Sequence, residues 1–469
     1  MASNSTATQT DEHVSLKLLL NEKGNKVLFA EAGKDFVDIL CSFLTMPLGT
    51  VARLVEMKSS IGPVTVGCLN SLYQSVADLD ESCFCNDTIK QMLLQPINSA
   101  EDYCNTLKLN IDDTQPTKYF ACANFKNCSY RDLTTSTYKD KHKCCCNHSF
   151  TCQVFLKQSH QGFVNCVTTF VITDDLTVMP NGIDYTSLSL LQEYGITNPS
   201  SVKEIVLNVT KEKVVDLLKH SLLSSSTLTD LFLRKKPSPG RSMFFFPDGE
   251  SSCKIKITVK LVIRKSDGKL LYAQGEQDFA NMLLNFLTFP LGIIAQKFGK
   301  ICSVGNINRL YKSIADLNEY KYFMSINAKF RLACPCIDSV LTLSKQILTV
   351  VDPDYINTPV QFLIHGGDKR IFEGKIKKMS IATLGSCNDG YVKGPNMYVV
   401  TDDLVVAPLS PISSLCLLNR LKTPLTDLKE KVVVIGFKEC LCILMASLTS
   451  SSALTNGLAH LLTEVKEEK

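Results

Sequence analysis

The chain has 469 residues, 45% of them hydrophobic and 20% charged, with 50 Lys and Arg against 46 Asp and Glu. That length exceeds one ordinary core and predicts two or more domains, and the composition excludes an intrinsically disordered chain. A formal net charge of +4 over so large a surface makes a nucleic-acid or membrane partner an unlikely expectation.

Residues 1–12 are polar and predict a disordered start without the apolar stretch of a signal peptide. No apolar run reaches the roughly 18–20 residues that a bilayer span needs, and the richest tract, Cys440 to Leu448, reads as a buried helix. A cytoplasmic or nuclear location is expected, where the 20 cysteines would mostly stay reduced.

From residue 13 the pattern becomes regular. Leu16, Leu18 and Leu20 alternate, a turn falls at Glu22 to Asn25, and Val27 and Phe29 alternate again, which predicts a hairpin. Phe36, Ile39, Leu40, Phe43 and Leu44 then follow a helical period. Pro47 must interrupt that helix, because it lacks an N–H and clashes with the preceding turn. A second amphipathic piece runs from Val51 to Val55. Strands are expected again near Phe163 to Ile172, Leu176 to Met179 and Glu204 to Val209, followed by a helix from Glu212 to Leu223 on whose polar edge His220 would be solvated.

The pattern then recurs. The 36 residues from Val14 match those from Ile257 at 14 of 36 positions without a gap. VGCLNSLYQSVADL from Val66 matches VGNINRLYKSIADL from Val304, FVITDDLTVMP from Phe170 matches YVVTDDLVVAP from Tyr398, and LLSSSTLTD from Leu222 matches LTSSSALTN from Leu448. Four matches in one order predict a duplicated module: a first repeat at 13–232 with a cysteine-rich insertion at 118–156, a linker at 233–252, a second repeat at 253–463 and a charged tail at 464–469. Phe244 to Phe246 within the linker would tuck against a domain, with an exposed docking peptide as the other reading. Strands and helices mix without a regular βαβ beat, so the expected class is α+β. Each repeat would be a β-hairpin followed by helices and further antiparallel strands.

The insertion carries the chemistry. Cys122 and Cys128 are separated by five residues, and Cys144, Cys145 and Cys146 follow after fifteen more. Two close cysteine pairs across a polar spacer are what a tetrahedral zinc site requires, and strands expected at Lys118 to Ala121 and Gln153 to Leu156 suit a zinc ribbon. The expected ligands are Cys122, Cys128, Cys144 and Cys146. Cys145 is left out because adjacent side chains cannot easily share one tetrahedron, and Cys145 and His148 stand in reserve. A closed four-thiolate site leaves no open position for substrate, so it points to structure and not to catalysis. An inert reduced cluster and a redox role are the other readings.

Elsewhere the residues favour structural roles. Asp174-Asp175 and Asp402-Asp403 fit strand-to-strand turns better than an acid–base pair. Asn70, Tyr73, Asn308 and Tyr311 sit on helices whose Leu and Tyr face the core, and Ser224 and Ser450 mark helix ends. Gly366 to Lys378 is basic with one aromatic; phosphate contact is one reading, and a solvated hairpin is the preferred one. No nucleophile elbow, phosphate loop, dinucleotide fingerprint or zincin motif occurs.

VLFAEAGKDFVDILCSFLTMPLGTVARL, SLYQSVADLD and the recurring TDDLxVxP resemble the plant family called domain of unknown function 674, over nearly the whole chain in two copies. In that family the first copy characteristically carries a cysteine pair, a spacer and a second cysteine knuckle. Cys122 and Cys128 match the first pair, and Cys-Cys-Cys-Asn-His-Ser departs from the family's second knuckle. The resemblance implies a soluble intracellular plant protein and supplies no activity. The expected function is that of a non-enzymatic interaction or scaffold protein with an unknown protein partner. A zinc-ribbon nucleic-acid binder, or an enzyme with a cleft between the repeats, is the alternative.

Overall fold

The computed structural model describes residues 13–22, 24–58, 65–135, 139, 143–157, 161–182, 187–234, 254–299, 304–335, 337, 343, 345–348, 360–365, 370–376 and 390–462. The expected N-terminal segment 1–12, the linker beyond Arg234, its Phe244–Phe246 run and the tail lie outside them.

The first half supplies eight strands: β1 (His13–Asn21), β2 (Lys26–Ala32), β3 (Tyr119–Cys122), β4 (Asp132–Thr135), β5 (Phe150–Leu156), β6 (Phe170–Thr173), β7 (Val178–Pro180) and β8 (Val202–Thr210). The second half supplies seven: β9 (Ile257–Arg264), β10 (Leu270–Glu276), β11 (Val360–Ile364), β12 (Phe372–Ile376), β13 (Met397–Thr401), β14 (Val406–Pro408) and β15 (Leu428–Ile435). The fold is a mixed α+β one, as expected. One antiparallel sheet has the order β7-β6-β2-β1-β8, and the other, β14-β13-β10-β9-β15, matches it strand for strand. The hairpin expected at residues 13–32 is β1 and β2, with Leu16, Leu18, Leu20, Val27 and Phe29 buried.

Each opening hairpin, β1-β2 and β9-β10, is followed by a helix that stops before a proline. Lys34–Thr45 buries Phe36, Ile39, Leu40, Phe43 and Leu44 before Pro47, and Leu48–Lys58 continues beyond it. In the second half Gln277–Leu284 tightens into a 3₁₀ turn, Asn285–Thr288, before Pro290 and the helix Leu291–Phe298. The two breaks meet. The Leu48 N–H donates to the Phe289 carbonyl at 2.9 Å, and the Leu291 N–H donates to the Met46 carbonyl at 3.0 Å. Backbone groups exposed by each break are thus satisfied by the other half.

Further contacts are reciprocal in the same way. Helix Leu69–Asp78 of the first half packs on β14, and helix Ile307–Asp316 of the second packs on β7. The Cys68 N–H donates to the Ser447 carbonyl (2.8 Å) and the Asn306 N–H to the Ser221 carbonyl (2.7 Å). Gly67 and Gly305, at φ +53° and +52°, let these crossings approach; a Cβ would lie 2.3 Å and 2.2 Å from those same carbonyl oxygens. The buried Oδ1 of Asp38 accepts the N–H groups of Phe163 and Val164, and Oδ1 of Asn281 accepts those of Tyr391 and Val392. One continuous apolar core, from Val14 to Leu458, runs through both halves.

The aspartate pairs close turns. Asp174 takes the N–H and hydroxyl of Thr229 at 2.8 Å each, and Asp402 takes those of Thr455 at 2.8 and 2.9 Å. Asp175 and Asp403 accept the hydroxyls of Thr173 and Thr401. Ser224 and Ser450 each accept the N–H two residues on, and Tyr73 and Tyr311 donate to the carbonyls of Leu94 and Ala333.

Two expectations need correction. His220 is fully buried, because helix Lys211–Leu223 is covered where the second half docks on its Ser221 end. The cysteine-rich insertion is also not a ribbon of the first repeat alone. Its strands join two from the second half in a closed barrel, β11-β12-β4-β3-β5, in which only β12 and β4 are parallel. Ala121, Leu133, Val154 and Phe362 fill the barrel. β4, inside the polar spacer between the cysteine pairs, supplies Leu133. The expected basic hairpin provides β12, and its residues 366–369 and 377–378 lie outside the described ones.

Candidate metal centre

The barrel positions the cysteines. β3 alternates Tyr119 and Ala121 toward the interior with Phe120 and Cys122 on the other side, so the strand's last residue delivers a thiol outside the barrel. The chain then turns. The Phe125 N–H donates to the Cys122 carbonyl (3.0 Å) and the Cys128 N–H to the Phe125 carbonyl (3.4 Å), while the Asn124 N–H points at the Cys122 Sγ (3.4 Å). Cys128 follows, buried.

The second knuckle is the tight reversal leading into β5. The Cys144 N–H donates to the His148 carbonyl and the Asn147 N–H to the Cys144 carbonyl, both at 2.8 Å. Asn147 adopts φ +64°, which asparagine tolerates better than most residues. A hydrogen bond from the Ala123 N–H to the Ser149 carbonyl (2.8 Å) ties the two knuckles together.

Four sulfurs converge. Cys122 and Cys146 lie 3.2 Å apart, Cys128 and Cys144 3.4 Å apart, and all four Sγ atoms fall within 4.8 Å of one another. Zn–S bonds of about 2.3 Å in a tetrahedron put sulfurs about 3.8 Å apart, inside that spread. Cys122, Cys128 and Cys144 are buried with Phe120 and Phe150 in a small cluster separate from the main core, and Cys146 packs against it.

Of the reserve ligands, Cys145 is exposed, 3.6 Å from the Cys144 Sγ and 4.0 Å from the Cys128 Sγ, and stands outside the tetrad. His148 is exposed, and its Nδ1 lies 2.8 Å from the Cys146 carbonyl oxygen. His365 follows β11 with its ring 5.6 Å from Phe155 and is not among the cluster's groups.

Without a cation the thiols share charge unequally. Burial, and then the hydrogen bond to Cys146, pushes Cys122 up to about 12, and burial pushes Cys128 higher still. The hydrogen bond from Cys122 holds Cys146 down to about 6. A thiolate at Cys146 would be stabilised first by the Cys122 hydrogen bond. A divalent cation is the group that would let all four ionise together. The donor set, four sulfurs and no oxygen, suits zinc or another thiophilic ion.

The sequence did not single out the outer face of the barrel at the end of β5 away from the Cys122–Phe150 pair. Phe155 is 52% exposed on the outer side of β5. Its signal was the alternation of β5, in which Val154 and Leu156 face inward.

Fold and site together define a mixed α+β protein with two like-ordered sheets, a small barrel and a four-thiol centre able to hold a metal. The chain matches the family described as "protein of unknown function (DUF674)" over residues 10–438, and it belongs to that family. No curated protein and no solved structure matches it. Among the described residues no helix is long and apolar enough to cross a membrane.

Proposed function

We propose that the chain is a non-enzymatic binding protein, built from two copies of one module, whose cysteine knot holds one structural zinc ion. The convergence of the Cys122, Cys128, Cys144 and Cys146 sulfurs carries this reading. Their surroundings are those of a closed site, with three of the four thiols buried and the ligands on two tied turns.

The duplicated module is supported by the identical strand order of the two sheets and the reciprocal contacts at Pro47 and Pro290 and at Gly67 and Gly305. The non-enzymatic reading draws on the carboxylates. Both aspartate pairs are spent on turn and helix contacts, and apolar side chains fill the junction between the halves. The knot needs reduced thiols, which fits the cytoplasm or nucleus.

Elemental analysis of the purified full chain tests the metal. About one zinc per chain is expected, falling to near none in Cys122→Ser or Cys128→Ser. Cys145→Ser should retain it. A zinc-free protein purified under reducing conditions and still unable to take up added zinc would overturn the reading.

A further inference from the structure

The net charge of the whole chain hides a local excess. The sequence segments 118–157 and 360–378, within which the five barrel strands fall, hold twelve Lys and Arg against four Asp and Glu, leaving 38 against 42 in the rest of the chain. The sequence separates these segments by about two hundred residues, and the fold joins them. Among the described barrel residues, eight Lys and Arg face two carboxylates, Asp132 and Glu373, and Glu373 is engaged with the Gln361 amide at 3.1 Å.

An apolar row crosses the same surface. Phe155 on β5 is opposite Leu363 on β11. One step past the Phe362–Phe372 pair, Leu363 is in register with Ile371, the residue before β12. All three point outward, 52%, 36% and 50% exposed. One step before the Tyr119–Val154 pair, exposed Lys118 stands beside Phe155 on the other flank. Exposed Lys157, two residues after Phe155 and just past the end of β5, continues the ladder through its N–H to the Gln361 carbonyl at 2.7 Å, and exposed Arg370 adjoins Ile371.

We propose that this outer face of the barrel binds single-stranded nucleic acid. Phe155 offers a ring on which a base stacks, Leu363 and Ile371 extend the platform, and Lys118, Lys157 and Arg370 meet the phosphates on either side. A strand's unpaired bases and phosphates match both features, aromatic and cationic, that the face presents together. A duplex would offer only the charge. The inference rests on the binding-protein reading above and does not need the zinc. A protein without zinc would therefore fail the metal reading while leaving this one to its own test.

The test is fluorescence anisotropy with the full chain and end-labelled oligo-U or oligo-dT of roughly twelve nucleotides, within the span that small barrels cover, at about 50 mM salt. Binding tighter than to a duplex of equal length is expected, and a preference for RNA or DNA identifies the natural strand. Phe155→Ala should weaken binding roughly 5- to 150-fold, while Phe155→Tyr, which keeps the ring, should retain it. The paired change Lys118→Ala and Lys157→Ala should lower the slope of log K against log salt by about 1.4. Lys203→Ala, on exposed β8 of the first sheet, should leave binding unchanged. Zinc content and melting temperature measured on each variant show that the barrel is intact. No binding at this salt, or binding indifferent to Phe155→Ala, would overturn the inference. So would an acidic peptide that competes as well as the oligonucleotide, because it would make the face a protein-docking or general anion surface.

Discussion

A buried imidazole with no hydrogen-bond partner is costly to protonate, and His220 is one. Its ring is fully buried, and neither nitrogen has a hydrogen-bond partner among the described residues. Burial pushes its pKa below the ordinary 6.5, with Lys219 and Lys213 adding to the effect and Asp230 and Asp216 opposing it. The folded value lies below the unfolded one, so between the two the unfolded chain holds a proton that the folded chain lacks. Stability is therefore fully present above about pH 6.5 and is lost as pH falls toward the folded value, at up to about 1.4 kcal/mol per pH unit. His220→Leu removes that proton and leaves no polar atom stranded. At pH 7.5 it should cost less than about 1.5 kcal/mol, and its difference from wild type should shift in its favour as urea midpoints are followed down to pH 5. A difference that stays constant would mean that the ring is solvated.

At the scale of elements, the knuckles and the helix crossings make opposite predictions. The cysteine cluster is separate from the main core, so metal removal should be felt locally. Chelation is expected to raise amide exchange across 119–154 while leaving β1, β2, β9 and β10 protected. Collapse of both sheets on chelation would show that the metal supports the whole fold. Glycines at the crossings act on the main core. Gly67→Ala or Gly305→Ala would set a methyl group against a backbone carbonyl in a left-handed conformation. Each should cost about 2–4 kcal/mol in denaturant midpoints, and by similar amounts because the sites are equivalent.

The same elements show what the sequence could reveal. Alternation at Leu16, Leu18 and Leu20, the helical spacing from Phe36 and the stop at Pro47 are local, and each appears where expected. Cys122, Cys128, Cys144 and Cys146 were legible because ligand spacing is also local. What Pro47 meets and what closes the barrel depend on residues more than two hundred positions away, what covers His220 on residues more than eighty away, and no periodicity encodes that. The charge of the barrel was illegible for the same reason, as its two segments lie about two hundred residues apart and the rest of the chain partly offsets their charge.

For the whole molecule, sequence repetition suggests two units, yet the contacts describe one. The helix following Gly67 packs on the second sheet, the helix following Gly305 packs on the first, the proline breaks pair across the junction, and β11 and β12 complete a barrel begun by β3, β4 and β5. Either half alone would uncover the faces of helices Leu69–Asp78 and Ile307–Asp316 that pack on the other half's sheet, and would leave the barrel open at strand edges that invite aggregation. Residues 1–234 and 254–469 expressed separately are therefore expected to be insoluble or to lack a cooperative transition. Co-expressed, they should form a one-to-one complex that elutes at the size of the intact chain. Cooperative melting of either fragment as a lone monomer would show that the shared core is dispensable. Failure of the co-expressed fragments to associate would show that assembly needs the covalent connection, which brings the two crossings together at high effective concentration.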